Sequence, residues 1–225
     1  MTLASVCMVV TAGVLGAGAG WIARQWALRL VDGEVSQARW LGPAACAVAW
    51  ALLVAVRGAS LLTLIQCLVC VPLVACSLTD LQAFVIPNAC VAAAVVLHAC
   101  YLLLLCVQDP ALAAATLARS LVGAGAALVP LLALTLVMDR VLGRESMGGG
   151  DLKLLAVCGL YVGWRQLLFL VLAACLGGIA SSAVLTPKGS GTLAPFPFGP
   201  SIAVALWMTF LVGPHVEAWL SACVF

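Results

Sequence analysis

Charge is what this sequence has least of: only 8% of its 225 residues are Asp, Glu, Lys or Arg, whereas 65% are hydrophobic. Soluble domains carry about a quarter charged residues, so the mean hydropathy of +1.24 excludes water as the main solvent of this chain. The formal net charge of +2 is too small to point to nucleic acid. Histidine is scarce too, and neither His98 nor His215 has a partner at ligand spacing, so both read as packing or interface residues. Of the eleven cysteines, all but Cys223 lie in long apolar runs, which argues against a disulfide scaffold. Cys67 and Cys70 form a CxxC, but Leu and Val surround them and no second Cys pair or His accompanies them. No metal or cofactor is therefore expected. The amino end has small residues at Gly16 to Gly20 but no basic segment before its apolar run, so it reads as a retained span with the N-terminus outside, not as a signal peptide.

What the chain does have is long apolar runs, at about residues 3–23, 41–56, 60–79, 86–107, 118–138, 152–163, 166–185 and 199–220. A spanning helix takes about 20 apolar residues. The expected fold is thus an all-α membrane protein, a polytopic bundle of about eight transmembrane helices in which residues 1–225 form a single domain surrounded by membrane lipid. The run at 152–163 is the shortest and carries Lys153. Gly13, Gly16 and Gly20, and likewise Gly123 and Ala127, recur at three- to four-residue spacing, which lets helix backbones approach closely in lipid. With the N-terminus outside, seven basic residues fall on inside connections (Arg24, Arg29, Arg39, Arg140, Arg144, Lys153, Lys188) and three outside (Arg57, Arg119, Arg165). The positive-inside rule then puts segments 80–87, 139–151 and 186–198 on the cytoplasmic face.

Two of the eight acidic residues stand apart. Asp32, Glu34 and Asp109 read as solvated, and Asp139, Glu145 and Glu217 as interfacial. Asp80 closes an apolar run and precedes Ile86-Pro87-Asn88, where the next helix should start; a carboxylate there is costly unless something uses it. Asp151 follows Gly148-Gly149-Gly150 and opens another run, a position that an ordinary helix N-cap also explains. Two carboxylates in one cleft resist double ionisation and share a proton. One then acts as base toward water while the other protonates the carbonyl or the leaving amine. The helix dipole favours charge on Asp151, at an amino end, over Asp80, at a carboxyl end. Asp151 is thus the expected base and Asp80 the proton-bearing partner. The alternative is a small transporter or channel whose Asp80 and Asp151 relay protons or hold a cation; no internal repeat supports it, and both residues fall at a boundary, not the midplane.

Three segments resemble the type IV prepilin leader peptidases, membrane aspartic proteases of the GxGD type. They are Asp80-Leu81 with Ile86-Pro87-Asn88, the stretch from Gly148-Gly149-Gly150-Asp151-Leu152-Lys153 to Gly163-Trp164, and Pro197-Phe198-Gly199-Pro200. The resemblance covers roughly residues 60–215. It implies catalysis by Asp80 and Asp151, with Gly148, Gly149, Gly150, Lys153, Pro87, Asn88, Phe198 and Gly199 supporting the dyad or binding substrate. Lys153 reads equally well as a lysine snorkelling to the interface, and Phe198 and Gly199 as a helix start. The implied reaction removes the basic leader of a prepilin or pseudopilin at the cytoplasmic face of the bacterial inner membrane; a homo-oligomer is left open. Longer members carry two CxxC pairs after the first helix and also methylate the new N-terminus. Residues 24–40 contain no cysteine, which puts N-methyltransferase activity in question.

Overall fold

The computed structural model describes residues 3–31, 39–185 and 196–224. Lys188, Asp32, Glu34 and the rest of residues 32–38 and 186–195 lie outside the described residues. The described chain is built from seven α-helices with no strand among them: α1 (Leu3–Leu30), α2 (Leu41–Arg57), α3 (Leu61–Ala83), α4 (Asn88–Gln108), α5 (Pro110–Leu142), α6 (Gly149–Leu185) and α7 (Gly199–Val224). Five of them, α1 and α3 to α6, are long and apolar enough to cross a membrane, and α2 and the first part of α7 are shorter apolar helices. The chain is a multi-pass all-α membrane bundle.

The eight apolar runs become seven helices because the sixth and seventh are continuous through α6, which is broken only at Gly163 (φ 69°, ψ 178°). Gly58 adopts the same conformation (φ 70°, ψ 179°) where α2 ends and the chain turns into α3. At Gly163 the chain likewise folds back. Beyond it, Gln166 donates to Glu217 on the late part of α7 (2.9 Å), while Ser181, further along, meets Ser201 at the start of α7 (3.2 Å). The second half of α6 therefore runs antiparallel to α7. The first half runs antiparallel to α5, with Gly159 and Gly163 against Gly123 and Arg119 donating to the Val162 carbonyl (3.2 Å). Both outer ends of α6 thus lie at one end of the bundle.

The central element is α3: 61% of its most apolar stretch is buried inside the protein, against 17–28% for the other spanning helices. It packs on α1, α2, α4 and α7. The small-residue spacing does what lipid-embedded packing requires: Gly16 lies on the Cys46 backbone and Gly20 on that of Gly42, joining α1 to α2. Cys67 and Cys70 are buried core residues of α3, with Trp50, Leu53 and Ile202 in the same cluster.

The end of the bundle away from Asp80 is held by polar contacts. Glu217 pairs with Arg119 (3.8 Å) and Arg165 (3.5 Å), His98 bonds Ser120 (2.9 Å), and Tyr161 donates to the Ala94 carbonyl (2.6 Å). These contacts tie α4, α5, α6 and α7 together. They satisfy groups that would be costly alone in lipid, although His98 Nδ1 is buried without a hydrogen-bond partner among the described residues. His98 is a buried, hydrogen-bonded packing residue, and Glu217 a hub of ion pairs.

Candidate active site

Asp80 sits in the last turn of α3, 5% exposed. The helix ends at Phe84, which adopts the left-handed conformation (φ 53°) and returns its N–H to the Asp80 carbonyl (3.0 Å). After this sharp stop, Pro87 is the N-cap of α4 and Asn88 its first residue, where Pro's fixed φ suits a helix start. Ile86-Pro87-Asn88 thus begins the next helix, as the sequence indicates.

Opposite Asp80 is the start of α7. The Gly199 N–H donates to Asp80 Oδ2 at 2.7 Å, across 119 residues of sequence. A Cβ on residue 199 would stand 2.9 Å from that oxygen and 3.2 Å from the Asp80 Cβ, so only glycine permits the approach. A helix amino end aimed at a carboxylate favours its charged form through unsatisfied N–H groups. Phe198, half-buried, anchors this helix start. Its ring packs on Gly178 of α6, where a Cβ would come within 2.8 Å of it, and its carbonyl accepts from Ser201 (3.0 Å) and Ile202 (3.2 Å).

Asp151 occupies the first turn of α6, its N–H bonded to the Gly148 carbonyl (3.1 Å). The three glycines are not equivalent. A Cβ on Gly150 would come within 3.0 Å of the Ile86 Cβ, and one on Gly148 within 3.3 Å of Asp151 Oδ2, whereas one on Gly149 would meet nothing within 4 Å. Gly150 brings the α6 start against the α3–α4 connection, and Gly149 faces open space. Gly150 against Ile86 thus places Asp151 at the end of α3 that carries Asp80.

Lys153 lies elsewhere. Two residues along a helix point to different faces, and its Nζ donates to Asn88 Oδ1 (3.1 Å), clamping the start of α6 to the start of α4. Of the residues singled out from sequence, Asp80, Asp151, Gly150, Gly148 and Gly199 converge; Pro87, Asn88, Lys153 and Phe198 hold the helix ends around them. Gly178 was not foreseen. Its signal is the Gly177-Gly178 pair inside an apolar run, which reads as general helix packing until the Phe198 ring is placed.

Apolar helices whose converging ends carry two carboxylates, with no polar domain attached among the described residues, make this a multi-pass membrane protein with two carboxylates at one end of its bundle. The type IV leader peptidase family model matches residues 67–183, just over half of the chain, and the chain belongs to that family. The matched stretch contains both aspartates, whereas Gly199 lies beyond it and joins the site through its bond to Asp80. Proteins named prepilin leader peptidase/N-methyltransferase are similar: that of Aeromonas salmonicida strain A449 is 34% identical over 46% of this chain and 36% of its own length. The Pseudomonas aeruginosa PAO1 protein is 35% identical over 45% of this chain and 36% of its own. The Xanthomonas campestris pv. campestris protein is 37% identical over 42% and 33%. The match thus spans about a third of each relative. No solved structure matches the chain.

Proposed function

We propose that the chain is a membrane aspartic endopeptidase that removes the leader of prepilin-like substrates, with Asp80 and Asp151 as its catalytic pair and residues 1–225 acting as one peptidase domain. The observation that carries this is the meeting of three helix ends around the two aspartates: the Gly199 N–H on Asp80 Oδ2, and Gly150, next to Asp151, against Ile86 of the connection that follows Asp80. The backbone donor on Asp80 Oδ2 and the α7 amino end favour charge on Asp80, the reverse of the roles expected from the sequence. Asp80 therefore takes a proton, on the free Oδ1, from a water molecule as the water oxygen attacks the scissile carbonyl, and Asp151 gives its proton to the carbonyl oxygen. The resulting gem-diol collapses as the proton on Asp80 passes to the leaving nitrogen and the other hydroxyl returns its proton to Asp151, restoring both carboxyls. The pair titrates jointly, so these roles describe one microstate. The family and the relatives do not favour the transporter or channel reading.

In the proposed orientation the site faces the cytoplasm of the bacterial inner membrane. Support comes from the sorting of basic residues: Arg119 and Arg165 meet Glu217 at the far end, while Lys153 is at the site end. The relatives' names also include N-methyltransferase, but the proposal is confined to the peptidase, as residues 24–40 hold no cysteine.

Co-expression with a membrane protein bearing a short basic leader tests this: the substrate is expected to gain mobility by the mass of its leader, and an unprocessed substrate beside well-folded enzyme would contradict the proposal. Within the site, Gly150→Leu should force α6 away from Ile86 and lower cleavage at least about tenfold, the scale at which small misplacements of catalytic groups act. Gly149→Ala should cleave like wild type. Equal cleavage rates for the two variants would refute the role given to Gly150.

A further inference from the structure

A cavity of about 140 Å³ lies at the end of the bundle away from Asp80, with space for about four or five water molecules. Its walls come from α3 to α7, and Arg57, the last residue of α2, stands at its rim. From Asp80 back to Leu61, α3 rises about 28 Å at 1.5 Å per residue, close to a hydrocarbon core of about 30 Å. With Asp80 at one membrane boundary, Arg57 and the start of α3 lie at the other, the level of lipid phosphates.

Charge and neutral polarity are separated around this cavity. Its rim carries two guanidiniums, that of half-buried Arg57 and that of exposed Arg119 on α5, and no carboxylate lines it. Glu217 is shared between Arg119 (3.8 Å) and Arg165 (3.5 Å), while Arg57 makes no ion pair among the described residues. Cations therefore outnumber their counter-charges here. The inner wall is neutral and under-bonded: Gln66 and His98 are 5% and 6% exposed, yet Gln66 Oε1 and His98 Nδ1 have no hydrogen-bond partner among the described residues. Ser120 holds only the other ring nitrogen of His98 (2.9 Å). The remaining hydroxyls are committed, Thr209 to the Ala205 carbonyl (2.7 Å) and Tyr161 to that of Ala94 (2.6 Å). Buried polar atoms left unpaired are costly, so this wall is made for a polar guest.

We propose that this cavity binds a phosphate ester that also bears a neutral hydroxyl, the chemistry shared by a phosphatidylglycerol headgroup and free glycerol phosphate. The oxyanion lies between Arg57 and Arg119, whose planar guanidiniums match phosphate oxygens in paired, charge-assisted hydrogen bonds. The hydroxyl reaches inward and donates to Gln66 Oε1. A bare phosphate satisfies the arginines but leaves that oxygen unpaired. An ammonium headgroup supplies a donor, but it sets a third positive charge beside two guanidiniums. Gln66 is about 21 Å along α3 from Asp80, so the site is separate from the two aspartates and does not depend on the peptidase reading.

Native mass spectrometry of the detergent-purified full chain tests this by counting bound lipid during titration with three headgroups. Phosphatidylglycerol should bind about fivefold more tightly than phosphatidylmethanol, which has the same phosphodiester but no hydroxyl, the scale of one neutral hydrogen bond. It should also outcompete phosphatidylethanolamine. Arg57→Gln should weaken phosphatidylglycerol binding at least about tenfold, the loss expected of a charge-assisted hydrogen bond. Arg144→Gln, which removes an exposed cation at the opposite end, should bind like wild type. Gln66→Leu should bring phosphatidylglycerol down to the affinity of phosphatidylmethanol. Glycerol phosphate added in place of lipid separates the two sources: retention with the same dependence on Arg57 and Gln66 assigns a water-borne ligand, and no retention while phosphatidylglycerol binds assigns the lipid. Equal binding of the three headgroups by wild type would overturn the proposal, as would equal binding by Arg57→Gln and Arg144→Gln, or no binding of either glycerol ester. The wild-type ranking of headgroups decides the matter even where a variant does not fold.

Discussion

Asp151→Asn and Asp80→Asn should each reduce leader cleavage about a thousandfold or more, at the upper end of what a positioned acid or base contributes and equivalent to about 4 kcal/mol of barrier. Asn preserves shape and can still accept the Gly199 N–H through its amide oxygen, so the fold should survive. What it removes is the base at 80 or the exchangeable proton at 151. The loss should appear in kcat and kcat/KM alike, since the proton transfers occur only on the way to the transition state. A variant whose KM alone rises would make the residue a substrate contact.

Gly123→Leu should be the most destabilising single change among the described glycines of α5. A Cβ at this position would meet the Gly159 carbonyl and come within 2.6 Å of the Gly163 Cα, and a Cβ at Gly159 would come within 2.5 Å of the Gly123 carbonyl. Backbone faces backbone at this crossing, so no side chain can rotate away. The helices must separate, at a cost of about 3 kcal/mol or more, the upper range for overpacking. A fall in melting temperature of roughly 10 °C follows for a chain of this size. Gly125→Ala, two residues on, has nothing within 4 Å of the new Cβ and should be neutral or stabilising, by up to about 1 kcal/mol from helix propensity. If both variants melt like wild type, the α5–α6 crossing is not as close as described. Because the first half of α6 carries Asp151, Gly123→Leu should also impair cleavage in the fraction that stays folded.

Much of this was legible in the sequence, for identifiable reasons. Apolar runs marked the helices because lipid demands continuous hydrophobicity, and the break between the sixth and seventh runs fell at Gly163, where the chain turns. Gly16, Gly20 and Gly123 read as packing positions and make close backbone contacts. Helix ends were read less well. The helix α5 begins at Pro110, not near 118, because Asp109 caps it through Leu112 N–H (3.0 Å) with Pro at its first position. That signal is present in the sequence, although Asp109 by itself reads as a solvated charge. Likewise α1 continues to Leu30 past Arg24, with Ala23 and Ala27 buried along it, since a hydropathy run stops at charge and a helix need not.

Within the site, Asp80, Asp151 and Gly150 were marked by local context. The partnership of Gly199 with Asp80 was not, because a backbone N–H donating across 119 residues leaves only a glycine as its trace. From sequence Lys153 reads equally as a site or an interface residue; its bond to Asn88 makes it a clamp between helix starts. The unequal roles of Gly148, Gly149 and Gly150 likewise needed coordinates, for the sequence GGG does not say which hydrogen faces Ile86.

The central claim is that Asp80 and Asp151 work as one catalytic unit. Its most direct test is the rate of leader cleavage by the purified, membrane-reconstituted chain, compared for wild type, Asp80→Asn, Asp151→Asn and the double variant. Groups acting as a unit are non-additive: each single variant should fall to the same background rate, and the double variant no lower. Partial losses that multiply in the double variant, or wild-type cleavage by either single variant, would contradict the claim.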